Sequence, residues 1–451
     1  MTQKRQFKLG LFLQAVGHHA AAWRLPHIDP NNIFSLEYYI DLAKKAEAAK
    51  FDAIFFADGL ALVAPSGEAY AYAPPVYYFE PLTLLSAIST HTSKIGLIST
   101  VSSTYLPPYQ LARKFASLDH ISKGRTGWNL VTSGTDVEAA NFGLDHQLAH
   151  AERYARAREY VDVVRDLWDS WGDTPLDFDK QTARFFDPAQ VAPTRHEGQY
   201  YKVKGPLQSG RPIQGHPVIV QAGSSEDGRA LASETAEIVF TAQQHIDAAT
   251  HFTQSLKALA ESKGREPGSL LVLPGVSIYV GETREEAQAK FDELHAFVDP
   301  QQALVGIRTF LEWDLSGHDL DGPVPPPPHT EGWQSRQKLA YDIAVRDNLS
   351  IRQLIGRLAG ARGHWVLVGT PVEIVDQLEN WFNAGAADGF NILPPTFPDG
   401  LDDFIRLVLP EIRRRGLFRE DYEGDTLRDH LGLKRPAAKL KPSVVLTEAA
   451  E

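Results

Sequence analysis

"KIGLISTVSSTYLPPYQLARKFASLDHISKGRTGWNLVTS", residues 94–133, holds one complete repeat unit of the fold. The run 94–102 is apolar and near-continuous, the pattern of a strand covered on both faces. Pro108 suits a helix start, and a helical stretch follows it. A second strand then occupies 124–133, where Trp128, Leu130 and Val131 are apolar but Asn129, Thr132 and Ser133 can hydrogen-bond. A strand that only filled a core would not close on such a cluster. Its C-terminal end is therefore expected to open into a pocket.

The same alternation extends in both directions. Strands are predicted at 8–14, 52–58, 216–223, 237–242, 270–281 and 389–394. Helices are predicted behind Ser35, as N-cap, and at 80–90, about 151–171, 226–236, 246–263, 283–298, 372–386 and 401–416. Eight strands with helical partners predict an α/β fold, a (β/α)8 TIM barrel, with a doubly wound open sheet as the alternative. The expected organisation is one barrel domain over 1–436, a C-terminal tail at 437–451, and insertions at about 172–215 and 300–363. The first insertion contains "GQYYKVKGPL", a hairpin candidate; the second carries four consecutive prolines at 325–328 and is long enough to be a functional lid.

Composition removes several classes of function. A formal net charge of −12 over 451 residues argues against nucleic acid, which needs clustered Lys and Arg. No apolar run approaches a membrane span, and the N-terminus reads as a first strand, so a cytoplasmic location is expected. Without cysteine there is no disulfide, thiolate nucleophile or Cys-based zinc site.

Chemistry in a barrel sits at the C-terminal strand ends. Those ends carry Gln14, His18, His19 and Trp23 after strand one, Asp58 after two, Thr100 and Ser102 on three, and Asn129, Thr132 and Ser133 on four. "QAGSS" (221–225) leads through Gly223 into Ser224, Ser225 and a helix, which suits either a phosphate or a plain N-cap. His146 and His150, four apart, could hold a metal on a helix, although no third ligand is evident; Tyr154 would share a face with His150. No Walker loop, G-x-G-x-x-G or G-x-S-x-G motif occurs.

Several blocks are long enough to carry a family resemblance: "FADG", the opening stretch, "HAERYARAREYVDVVRDLWDSW", "GPLQSGRPIQGHPVIVQAGSS" and "DYEGDTLRDHLGL". Over about residues 5–433 the chain resembles the bacterial-luciferase-like flavin monooxygenases, most closely the branch with nitrilotriacetate and dibenzothiophene-sulfone monooxygenases. The resemblance implies a two-component enzyme. FMN would arrive as FMNH2 from a separate NAD(P)H:flavin reductase and react with O2 to a flavin C4a-(hydro)peroxide that oxygenates a small organic molecule, with C–S or C–N cleavage. It implies cofactor contacts from Asp58, Thr100, Asn129, His150, Tyr154, Ser224 and Ser225, with no metal, and it turns the helix terminus at 225 toward phosphate. His19 is the candidate acid–base group, and a homodimer or homotetramer is expected. A deazaflavin-dependent oxidoreductase on the same barrel is the alternative. The substrate side is open: Arg24, Arg308 and Arg336 would suit a polyanion, and the aromatics Tyr70, Tyr72, Tyr77, Tyr78 and Phe79 an aromatic molecule, with an apolar or sulfur-containing substrate favoured.

Overall fold

The computed structural model describes residues 5–62, 78–330 and 332–440 of the chain. Its main sheet contains β1 (Lys8–Phe12), β2 (Ala53–Phe56), β3 (Gly96–Ser102), β4 (Thr126–Val131), β5 (Val218–Gln221), β6 (Ile238–Thr241), β7 (Leu271–Val280), β8 (Trp365–Gly369) and β9 (Gly389–Ile392). All except β8 join in a closed parallel barrel. Closure runs through Ile238 beside Leu271, Gly275 beside Asn391 and Lys8 beside Gly389. The barrel expectation holds, and the open-sheet alternative is excluded.

Inward positions alternate along each strand, as the pleat requires. Phe12, Phe55 and Phe240 meet at the centre with ring centroids 4.7–5.8 Å apart. Ile98, Val218, Val220, Leu273 and Leu393 complete this interior. Gly10 makes room: a Cβ there would stand 2.7 Å from Asn391 Oδ1. Leu427, Leu431 and Leu433 of the C-terminal segment close the barrel at its N-terminal end.

The outer layer comprises α1 (Leu36–Ala48), α2 (Pro81–Ile88), α3 (Pro108–Ile121), α4 (His150–Trp168), α5 (Glu226–Thr235), α6 (Ile246–Ser262) and α7 (Arg284–Ala296). Ser35 caps α1, accepting from the Tyr38 amide at 3.2 Å, and Pro108 is the first residue of α3.

Two findings go beyond the expectation. The strand β8 was not foreseen: Val276–Val280 of the long β7 leaves the barrel and pairs with it, forming a ribbon above the mouth. Residues 300–363 are largely helical, with α8 (Pro300–Leu311), α9 (Gln334–Arg346) and α10 (Ile351–Ala361) packed on their own core of Leu304, Trp313, Leu315, Ile351 and Leu354. A further helix, α11 (Pro371–Asn383), returns the chain to β9. Residues 172–215 form two hairpins, Leu176–Asp179 with Arg184–Phe186 and the anticipated one, His196–Glu197 with Lys202–Val203. Among the described residues no helix is long and apolar enough to cross a membrane. Tyr70, Tyr72, Tyr77 and the tail from 441 lie outside the described residues.

Candidate active site

The C-terminal ends of β2 to β5 bring most of the sequence-derived residues together in three neighbouring groups. The first is a buried hydrogen-bonded pair. Thr100 Oγ1 donates to the Phe56 carbonyl at 2.7 Å and accepts from Asn129 Nδ2 at 2.8 Å. This leaves Asn129 Oδ1 buried with no partner, an acceptor awaiting an N–H donor. Next to it the backbone is strained: Ser133 has φ +53° and donates to Ser102 Oγ at 2.9 Å.

Around the second group, His150 opens α4 and meets Asp227 Oδ2 through Nδ1 at 2.9 Å, its ring 4.8 Å from that of Tyr154. Opposite, Ser225 Oγ accepts from the Gly228 amide at 3.1 Å and caps α5, so the plain N-cap reading is correct as far as it goes. Gly223 adds a second property. A Cβ there would lie 3.2 Å from Gly228 Cα and 3.6 Å from Tyr154 Oη, so glycine keeps a cradle open between α4 and α5. A helix N-terminus, the Ser225 hydroxyl and the Tyr154 hydroxyl frame that cradle, which suits a phosphate. His146 lies outside α4 and faces Asp136 at 3.3 Å, and among the described residues no group of three ligands could hold a metal.

Asp58 forms the third group. Burial raises its carboxyl to about 7, with the nearby acids Glu80 and Glu138 adding to the effect. Glu138 is itself fixed by the amides of Leu60, Gly134 and Thr135. A carboxyl that titrates near neutrality at a barrel mouth is equipped to take or give a proton. The same shift penalises folding at high pH, because the folded state holds the proton that the unfolded chain loses near 3.8. Stability associated with this group is therefore complete at low pH and falls as pH rises toward 7. Asp58→Asn is expected to exceed wild type by about 1–2 kcal/mol at pH 8, discounted for partial solvation, and to match it near pH 4. Denaturant midpoints at the two pH values measure this, and equal midpoints throughout would show an ordinary, solvated carboxyl.

The candidate acid–base residue of the first loop lies apart from these groups. His19 Nδ1 accepts from the Ala21 amide at 3.1 Å, and its ring stands edge-on to His295 at 5.1 Å. Burial, assisted by His295, lowers it to about 3. His18 turns the other way, against the Phe12 carbonyl at 2.9 Å.

Two residues that sequence reasoning left unplaced or missed stand over the β6–β9 side of the mouth. Arg336 Nη1 donates to the Arg362 carbonyl at 2.8 Å, and its Nη2 meets His364 Nε2 at 2.9 Å. His364 in turn stacks on Phe240, centroids 4.8 Å apart. With its amide oxygen turned toward Arg362, Gln14 accepts from both terminal guanidinium nitrogens, at 2.6 and 2.8 Å. Arg24 and Arg308 are engaged elsewhere, with the Phe297 carbonyl and with Asp314. On the opposite side, Trp333 of the helical insertion lies against the β4 exit, where a Cβ on Gly134 would meet its Nε1 at 3.0 Å. The insertion therefore reaches across the mouth.

Comparison with known proteins agrees with this geometry. The family model described as luciferase-like monooxygenase matches residues 8–388. Nitrilotriacetate monooxygenase component A of Aminobacter aminovorans is 46% identical over 453 residues, covering 98% of this chain and 100% of that protein. N-acetyl-S-(2-succino)cysteine monooxygenase of Bacillus subtilis (strain 168) is 44% identical over 438 residues, covering 96% and 98%. The crystal structure of a riboflavin lyase with modified FMN and riboflavin superposes with a TM-score of 0.86 at 32% identity, covering 96% of this chain and 97% of that one. The chain belongs to the luciferase-like monooxygenase family and is an oxygenase of its flavin-dependent type.

Proposed function

We propose that this protein oxygenates a small organic molecule with FMNH2 delivered by a separate NAD(P)H:flavin reductase, using O2 and cleaving a C–S or C–N bond. One observation carries the reading: the unpartnered Asn129 Oδ1 and the glycine-lined cradle at Gly223 lie on adjacent strand ends, β4 and β5. The first suits the N–H edge of a reduced isoalloxazine and the second its phosphate. The name "component A" of the Aminobacter relative supports a second component.

In this reading Ser224, Ser225 and the N-terminus of α5 hold the phosphate, flanked by His150 and Tyr154. The Phe56 carbonyl orients the Thr100 hydroxyl, which fixes the Asn129 amide so that its oxygen is presented as the acceptor. Asp58 exchanges a proton at its carboxylate near neutral pH. The insertion, through Trp333 on one side and Arg336 on the other, restricts water at the mouth. Bound reduced FMN supplies the electrons that activate O2; the protein supplies position and electrostatics.

Anaerobic titration with dithionite-reduced FMN is expected to show one site per chain, tighter than for oxidised FMN. Turnover with reductase, NADH and candidate amines and sulfur compounds is expected to place one atom of 18O2 in a product. Hydride transfer under nitrogen, or hydrogen peroxide as the sole outcome across the panel, would overturn the proposal.

A further inference from the structure

Arg336 and Arg362 differ from three well-satisfied arginines of this fold, Arg125, Arg211 and Arg428. A guanidinium carries five N–H donors and a charge that cannot be shed. Arg125, also buried without a carboxylate, satisfies all five donors on oxygens of Ser89, Thr92, Ile95 and Ser122. Arg211 and Arg428 are paired with Asp169 and Glu237. Among the described residues Arg336, by contrast, engages one carbonyl and one imidazole, and Arg362 the Gln14 amide oxygen, with the Tyr78 phenol also near it. Among the described residues neither has an acidic partner.

The pair also faces free space. Arg362 keeps exposed surface and Arg336 is half-buried, yet protein surrounds both closely enough for desolvation to lower each pKa, Arg336 to about 10 with Arg362 adding repulsion. Those two facts hold together for side chains lining a concavity. Among the described residues these two like charges have no counter-ion, an arrangement that costs free energy unless an anion joins them. Arg336 ties α9 to the loop bearing Arg362 and His364, and Arg362 ties that loop to Gln14, but none of these bonds neutralises a guanidinium. His364, stacked on Phe240, fixes one guanidinium over the barrel axis, and Gln14 fixes the other.

We infer that the substrate is an organic carboxylate, gripped at the barrel mouth through its carboxylate by Arg336 and Arg362. Planar guanidiniums match a carboxylate in two-point fashion, which lysines would not. The grip lies on the β6–β9 side, whereas the proposed phosphate cradle lies between α4 and α5, so cofactor and substrate need not compete. This inference rests on the mouth being the flavin-dependent active site, and it turns the substrate reading from an apolar molecule toward an anion.

The test uses the full chain saturated with oxidised FMN, so that the cradle is filled. Calorimetric titrations compare iminodiacetate, thiodiacetate and succinate with their uncharged diamides. At least one dianion is expected to bind tenfold or more tightly than its diamide, and to weaken as ionic strength rises. Arg336→Gln and Arg362→Gln are each expected to remove at least tenfold of that affinity, while FMN affinity stays within twofold. Equal binding of dianion and diamide by wild type, or no binding of any dianion, overturns the inference without recourse to a variant. Variants that bind the dianion as wild type does overturn it too. Failure of the wild type to bind FMN at all would instead count against the cofactor reading, so the two failures are distinguishable.

Discussion

Arg428→Ala is expected to remove about 3–5 kcal/mol of folding stability, the range for breaking a buried ion pair from one side. Arg428 is fully enclosed at the closed end of the barrel. It donates to Glu237 through both terminal nitrogens, at 2.6 and 3.0 Å, and to the His216 carbonyl at 2.8 and 3.0 Å. Burial alone would raise the Glu237 carboxyl; the Arg428 charge and hydrogen bonds more than reverse that and hold it below 4.5. The pair's contribution is therefore present above the unfolded pKa and lost as pH falls through the folded one. Alanine leaves a buried carboxylate without its main partner and frees Leu427 and Leu431 from their place under the strands. The loss should be largest at neutral pH and narrow as pH falls through the lowered pKa of the folded wild type, once Glu237 is protonated in either protein. Adding Glu237→Gln to the alanine variant should recover part of the loss, because no charge is then stranded. Chemical denaturation of wild type and the two variants measures this, and a loss under 1 kcal/mol for Arg428→Ala would show that the barrel end is not tied by this pair.

A second large effect is expected at Gly223. Valine there would occupy the cradle between Tyr154 Oη and the start of α5, displacing the phosphate without reaching the barrel core. Charge-assisted hydrogen bonds contribute about 1.5–3 kcal/mol each, so the loss of two predicts at least a hundredfold weaker binding of reduced FMN. Riboflavin, which lacks the phosphate, supplies the control. Wild type should favour FMN over riboflavin by a hundredfold or more, and Gly223→Val should lose that preference while its affinity for riboflavin changes little. A wild-type protein indifferent to the phosphate would remove the cradle from the site.

Both effects arise at places the sequence exposes unequally. Thr100 and Asn129 were legible as polar side chains near apolar strand ends, and the structure joins them in one hydrogen-bonded pair. Ser225 was legible as a cap, which the structure shows, and the same hydroxyl lies at the Gly223 cradle where the proposed phosphate would sit. The distinction between His18 and His19 was not: after β1 ends the pleat no longer dictates direction, and the chain turns one ring toward Phe12 and the other toward α7. The strand β8 escaped notice because its five residues, Trp365–Gly369, follow directly on the helical insertion and pair only with the overhang of β7. Arg362 had no local signature either. It sits in the left-handed region, φ +52°, at the end of α10, and its place over the mouth depends on how the whole insertion folds back.

The overhanging β7–β8 ribbon sets the mechanical character of that mouth. His364 and Arg362 are anchored immediately before a strand in continuous register from Val276 to Val280. Their positions are thus braced by backbone pairing, where a loop would let them drift. A guest entering such a rigid jaw loses its own freedom but imposes little further ordering on the host, so geometric mismatch is punished more sharply than it would be by a pliable rim. Among guests of the same charge, selectivity should accordingly follow shape.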